Sequence, residues 1–180
     1  MRDLSSAIRE LESWAPAPEQ GLGEELTLLV SRLTPMICVD LLVQDPQGRT
    51  LLTWRHDRFY GPGWHIPGGM VRYKERLADR IQEVARQELA AEVAFEPAPL
   101  AILECMNPES RDRGHLISLL FRCRLLTPLD DALRFVPEDP RPDQWQWHER
   151  CPANLLAQQA AYRTYIGANQ PVSTTRLLGA

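Results

Sequence analysis

Lysine is almost missing from this chain. Lys74 is the single one, and arginine supplies every other basic residue. Genomic base composition accounts for such a bias, which leaves guanidinium groups, suited to bidentate phosphate binding, as the prevailing cations. Cysteine is scarce and scattered: Cys38, Cys105, Cys123 and Cys151 show no C-x-x-C spacing and form no short-range ligand pattern with His56, His65, His115 and His148. Reduced, mostly buried thiols and no structural zinc site are therefore expected. No apolar run reaches membrane-spanning length, and the N-terminus, with Asp3, Arg9, Glu10 and Glu12, has no secretory hydrophobic region. These absences predict a soluble, cytoplasmic protein. A net charge of −4 and a pI near 5.6 supply no general attraction to nucleic acid or to an anionic membrane, so neither is expected as a partner.

What is present is a globular composition, 44% hydrophobic and 24% charged over 180 residues, sufficient for one domain with a substantial core. Residues 1–22 read as a helix ended by the Pro- and Gly-rich linker A-P-A-P-E-Q-G-L-G, residues 23–168 as the domain, and 169–180 as a loosely held tail. A second helix over 24–33 should stop at Thr34-Pro35, because proline disfavours helical geometry in the residue before it. Strands are expected at 36–44 and 50–55, joined by the turn D-P-Q-G, and then at 64–67, 70–73, 100–106, 115–125 and 145–148. A long helix should run from Glu75 to about Glu92, and a last one over 153–166, giving an α/β order.

The densest chemistry lies in residues 64–92, W-H-I-P-G-G-M-V-R-Y-K-E-R-L-A-D-R-I-Q-E-V-A-R-Q-E-L-A-A-E. Pro67-Gly68-Gly69 can carry the backbone through conformations a Cβ would forbid, leaving peptide groups open to a ligand. In the helix that follows, Leu77, Ile81, Val84, Ala85 and Leu89 keep the rhythm of a buried face. Gln87 and Glu88 then fall toward an edge, with Glu88 set back over the glycine turn. Glu75 and Asp79 lie in the first turns, where negative charge complements the helix dipole. Asp40, inside the apolar run M-I-C-V-D-L-L-V, is costly to bury alone and should have a partner or a ligand.

These segments resemble the Nudix hydrolase family. Its box pattern runs Gly, five residues, Glu, seven residues, Arg-Glu, an aliphatic, any residue, Glu-Glu, any residue, Gly, an aliphatic. Gly69 and Glu75 match its opening; Glu83 falls at its arginine, Val84 at its first catalytic glutamate, Gln87 and Glu88 at its glutamate pair and Ala90 at its glycine, so the box is degenerate. The GDP-mannose mannosyl hydrolase subgroup also lacks that first glutamate. The likeness to it spans about 24–166, through T-P-M-I-C-V-D-L-L-V, L-L-T-W-R, W-H-I-P-G-G and H-L-I-S-L-L-F-R-C-R.

The resemblance implies an α/β/α sandwich with a mixed sheet, here with an extra N-terminal helix. It also implies a homodimer, a small-molecule nucleotide substrate and Mg²⁺ or Mn²⁺ as cofactor. The metal would be held by Glu88 and the carbonyl of Gly68, with Gln87 beside them. Arg55 matches the arginine that contacts the pyrophosphate, Asp40 the position facing the sugar, and Arg72 stands in for the phosphate-binding arginine that Met70 replaces. One cation suits water attack at the sugar's anomeric carbon, which needs a base. The subgroup's histidine is missing from the loop before the last core strand, which offers Glu138, Asp139 and Asp143 instead; Glu138 is the candidate carried forward. A catalytically weak nucleotide-binding or regulatory module is the rival reading, and a conventional pyrophosphohydrolase would need an acidic cluster this helix lacks.

Overall fold

The computed structural model describes residues 3–167 and the backbone of Leu177–Leu178. Helix α1 (Leu4–Ser13) is capped by Asp3, whose carboxylate accepts the Ser5 N–H, and buries no side chain. Helix α2 is Glu24–Ser31. Two sheets follow. The mixed sheet has the order β4 (Gly68–Met70), β1 (Met36–Val43), β7 (His115–Leu125), β6 (Ala101–Met106), β9 (Leu177–Leu178), with β5 (Val93–Phe95) also paired to β7. A smaller sheet runs β3 (Gly63–His65), β2 (Thr50–Arg55), β8 (Trp145–His148). The tail expected at 169–180 lies outside the described residues apart from the β9 backbone, which runs parallel to Ile102–Leu103.

Strand β1 pairs in parallel with β7 and is buried on both faces. Val39, Leu41 and Val43 point into a core closed by Ile81, Val84, Ala85 and Leu89 of α3 (Leu77–Leu89). Leu42 points to the other face, into a second core with Leu52, Trp54, Trp64, Leu103 and Tyr162. Asp40 shares strand parity with Leu42, which places it on the side away from α3. The core face foreseen for α3 is therefore the one observed, except that Leu77 is 38% exposed.

Four elements differ from expectation. The fourth strand lies at Gly68–Met70 rather than 70–73, because the pairing of Asp40 with Gly68 and Cys38 with Met70 draws the glycines themselves into the sheet. Helix α3 begins at Leu77 rather than Glu75, since the Glu75 carboxylate turns back to accept the Arg72 N–H at 2.8 Å. Strand β5 carried too short an apolar run to be read. The last helix is replaced by turns and a 3₁₀ helix at Ala157–Tyr162, in which Gln159 spends its side chain on the Ile66 backbone, accepting from N–H at 2.6 Å and donating to the carbonyl at 3.2 Å.

Candidate active site

Glu88 leaves α3 one residue before its end and reaches the glycine turn, where Oε1 accepts the Gly68 N–H at 3.3 Å. Oε2 accepts the Thr53 hydroxyl at 3.4 Å and lies 3.7 Å from His65 Nε2. His65 is buried and shares a 2.9 Å hydrogen bond with Thr53, its partner across β2 and β3. Burial, opposed by the Gly68 N–H and Arg55 and reinforced by Asp40 and Asp143, pushes the Glu88 carboxyl up to about 8. Burial likewise pushes His65 down to about 3. At neutral pH and with no cation bound, both shifts favour the uncharged form.

Asp40 has found the partners its apolar strand required. The hydroxyls of Ser118, on the neighbouring β7, and of Tyr162 both donate to Oδ2, and burial, against those two bonds, raises the carboxyl to about 6. Its other oxygen lies so close to Gly68 that any Cβ there would overlap it, so the glycine is required by the carboxylate opposite.

Gly68, Glu88, Asp40 and Arg55 line one cleft of about 440 Å³, the size of a small-ligand site. His65, Tyr60, Arg113, Ser118, Asp143 and Tyr162 line it as well. Arg55 Nε donates to Asp57 at 2.5 Å, and its guanidinium lies 4.8 Å from the Tyr60 ring centroid.

Three expected site residues are elsewhere. Gln87 is exposed and donates to Glu83 at 2.5 Å, because on a helix the residue next to Glu88 points about 100° away from it. Arg72 follows the end of β4 and lies against Gly21 of the linker rather than in the cleft. Glu138 is exposed in a turn, and of the three carboxylates its loop offered, Asp143 is the one that lines the cleft. Asp143 is placed there by a left-handed backbone, φ 66°, and an N–H donated to the Trp54 carbonyl at 2.9 Å.

His65, Ser118, Tyr162 and Arg113 line the cleft without having been expected there. His65 had a local signal, lying inside W-H-I-P-G-G at the strand position that faces Thr53. Tyr162 had none, since it meets Asp40 across 122 positions of sequence.

No three His, Cys, Asp or Glu residues among those described are grouped to hold a metal ion. Val84, at the box position of the missing glutamate, is buried in the core beneath Gly69. The residues nevertheless fit one hard cation. Glu88 keeps lone pairs free beyond three long contacts, and Mg²⁺ commonly takes one or two carboxylates, waters and substrate phosphates rather than a protein cage.

A NUDIX domain model matches residues 34–165, and the chain belongs to that family, a family of hydrolases acting on small molecules and generally using divalent metals. An ADP-ribose pyrophosphatase from Streptococcus suis is 19% identical, covering 80% of this chain and 99% of its own, with a TM-score of 0.56. A NUDIX hydrolase from Nitrosomonas europaea is 18% identical over 81% of this chain and 79% of its own, with a TM-score of 0.55. A UDP-X diphosphatase is 18% identical over 86% and 73%, with a TM-score of 0.53. At these identities the likeness is one of fold. No curated protein shows significant similarity to the chain. No helix among the described residues is long and apolar enough to cross a membrane.

Proposed function

We propose that the protein hydrolyses a nucleoside diphosphate sugar, GDP-mannose-like, by water attack at the anomeric carbon. One observation carries this reading: Glu88 is the helix carboxylate hydrogen-bonded to the glycine turn, with Val84 buried one turn before it and, among the described residues, no group of three His, Cys, Asp or Glu side chains placed to hold a metal. A site with one metal-binding carboxylate is poorly equipped to generate a metal hydroxide between two ions, the arrangement that favours attack at phosphorus.

Glu88 and the carbonyl of Gly68 would hold Mg²⁺ or Mn²⁺. Bound there, a divalent ion neutralises pyrophosphate charge and stabilises the departing nucleoside diphosphate. Arg55, steadied by Asp57 and the Tyr60 face, presents planar donors to the same phosphates. Asp40, with Ser118 and Tyr162, faces the sugar from the floor of the cleft. Asp143, in place of Glu138, takes the proton as a water oxygen bonds to the anomeric carbon and the carbon–oxygen bond to the diphosphate breaks. Homodimer assembly belongs to the same reading and is checked by sedimentation.

The test is hydrolysis of a nucleotide-sugar panel with Mg²⁺ in ¹⁸O-water. Label in the free sugar supports attack at carbon; label in phosphate overturns it. Glu88→Gln should abolish turnover, and Asp143→Asn should lower kcat by about 10²-fold or more, the usual share of a general base. The buried Val84 and the outward Gln87 favour a second reading, a nucleotide-binding module of weak activity. Nucleotide binding with no turnover under either metal would select it.

A further inference from the structure

Arg113 lines the cleft but has no part in the proposed chemistry. It comes from the loop between β6 and β7 and has φ 53°, a left-handed conformation that costs a residue with a Cβ about 1 kcal/mol. Its guanidinium lies 4.6 Å from the ring centroid of Phe59, next to Tyr60, whose ring carries Arg55 at 4.8 Å. The two rings are 6.4 Å apart, so consecutive aromatic residues seat two guanidinium groups from different parts of the fold, and Arg55, Tyr60 and Arg113 all line the cleft.

The two cations are differently compensated. Arg55 is paired with Asp57, whereas Arg113 makes no ion pair among the described residues and its Nε is buried with no acceptor. An unmet buried donor costs about 1–3 kcal/mol, so Arg113 is the less compensated of the two cations.

The loop is braced in part by Ser31 and Arg32 at the end of α2, outside the 34–165 family match. At the end of α2, Ser31 Oγ accepts the Arg113 N–H at 3.0 Å and Arg32 pairs with Asp112 at 2.5 Å. At its start, Glu24 pairs with Arg58, whose guanidinium is also 4.7 Å from the Phe59 centroid. Within the loop, Asn107 N–H meets the Gly114 carbonyl at 2.7 Å and Ser110 Oγ donates to the Asp112 carbonyl at 2.6 Å. Helix α2 thus ties together the two loops that carry Phe59 and Arg113.

We propose that Arg113 is a specificity-determining residue that clamps the diphosphate of the nucleotide together with Arg55, and that α2 positions it. This rests on the function proposed above. Two guanidinium forks lining one cleft match two phosphates, each able to accept a bidentate pair. A nucleoside monophosphate engages one fork.

The experiment is calorimetry with GDP, GMP and inorganic pyrophosphate in Mg²⁺, together with turnover of GDP-mannose. Arg113→Met keeps apolar contact with Phe59 and removes the charge. It should weaken GDP by about tenfold and GMP by less than about threefold, and raise KM for the nucleotide sugar far more than it lowers kcat. Arg32→Met, remote from the cleft, should weaken GDP by about threefold through loss of the brace while leaving the thermal midpoint nearly unchanged. GDP affinity within about twofold of wild type in Arg113→Met overturns the clamp, and the same result in Arg32→Met overturns the role of α2. A wild-type protein that binds neither GDP nor pyrophosphate overturns the proposed function itself; normal turnover with an indifferent Arg113→Met overturns this inference alone.

Discussion

Arg80 holds Glu75 with two hydrogen bonds, Nη2 to Oε1 at 2.6 Å and Nε to Oε2 at 2.8 Å, with the side chains only 5% and 12% exposed. In the family pattern the arginine partner would stand at position 83, where this chain has a glutamate. Here the pairing has moved to Arg80, and although burial opposes it, the guanidinium keeps the Glu75 carboxyl below its usual range. Removing one partner strands the other charge, so Arg80→Ala should cost about 3 kcal/mol in urea unfolding. Replacing both residues by leucine should cost less than Arg80→Leu alone. An unchanged midpoint in Arg80→Ala would show that the pair does not anchor the helix.

Val84→Glu restores the box carboxylate in name only. The side chain is 2% exposed, and its methyl group fills the space under Gly69. A carboxylate there is a buried charge without a partner, expected to destabilise by about 3 kcal/mol or more. The prediction is a lower denaturation midpoint with no gain in Mg²⁺-dependent turnover. A stable variant with higher activity would mean that this residue can turn to the cleft.

Ala90 ends α3 in the left-handed region, φ 49° and ψ 35°, at the box position where the family carries glycine. A Cβ is strained there. Ala90→Gly should therefore stabilise the protein by about 0.5–1 kcal/mol despite the greater freedom glycine gives the unfolded chain. Differential scanning calorimetry reads this as a higher Tm, and a lower one would refute it.

His148, partly buried, stacks edge-on against Trp64 at 4.5 Å, and its Nε2 is buried without a partner. Burial pushes its pKa from 6.5 down to about 4. Below pH 6.5 the unfolded chain takes a proton that the folded chain refuses, so this group's stability contribution is full above 6.5 and is lost as pH falls toward 4. His148→Phe should make stability less dependent on pH across that window, by roughly 2 kcal/mol at its acid end. Equal acid sensitivity in the variant and the wild type would sink the assignment.

Period and punctuation made much of this fold legible. The apolar rhythm of 77–89 located the buried face of α3, and D-P-Q-G located the turn between β1 and β2, since both signals arise among neighbours in sequence. The same rhythm misled at 153–166, where Gln159 caps the Ile66 backbone instead of propagating a helix. Loop residues gave no such guide: Glu138 and Asp143 are five positions apart and chemically alike, and a left-handed residue, not composition, sends Asp143 into the cleft.

The amino-acid order by itself determined the kind of domain, the glycine turn, the helix behind it and the missing acidic partner at Val84, because each depends on spacing within one or two turns of chain. Tertiary structure decided who meets whom: Asp40 with Tyr162, His65 with Glu88, Arg113 with Phe59. Those contacts join residues far apart in the chain, and burial acts on them only after the sheets have closed, which is when two carboxylates and a histidine acquire the altered proton affinities that local sequence does not encode.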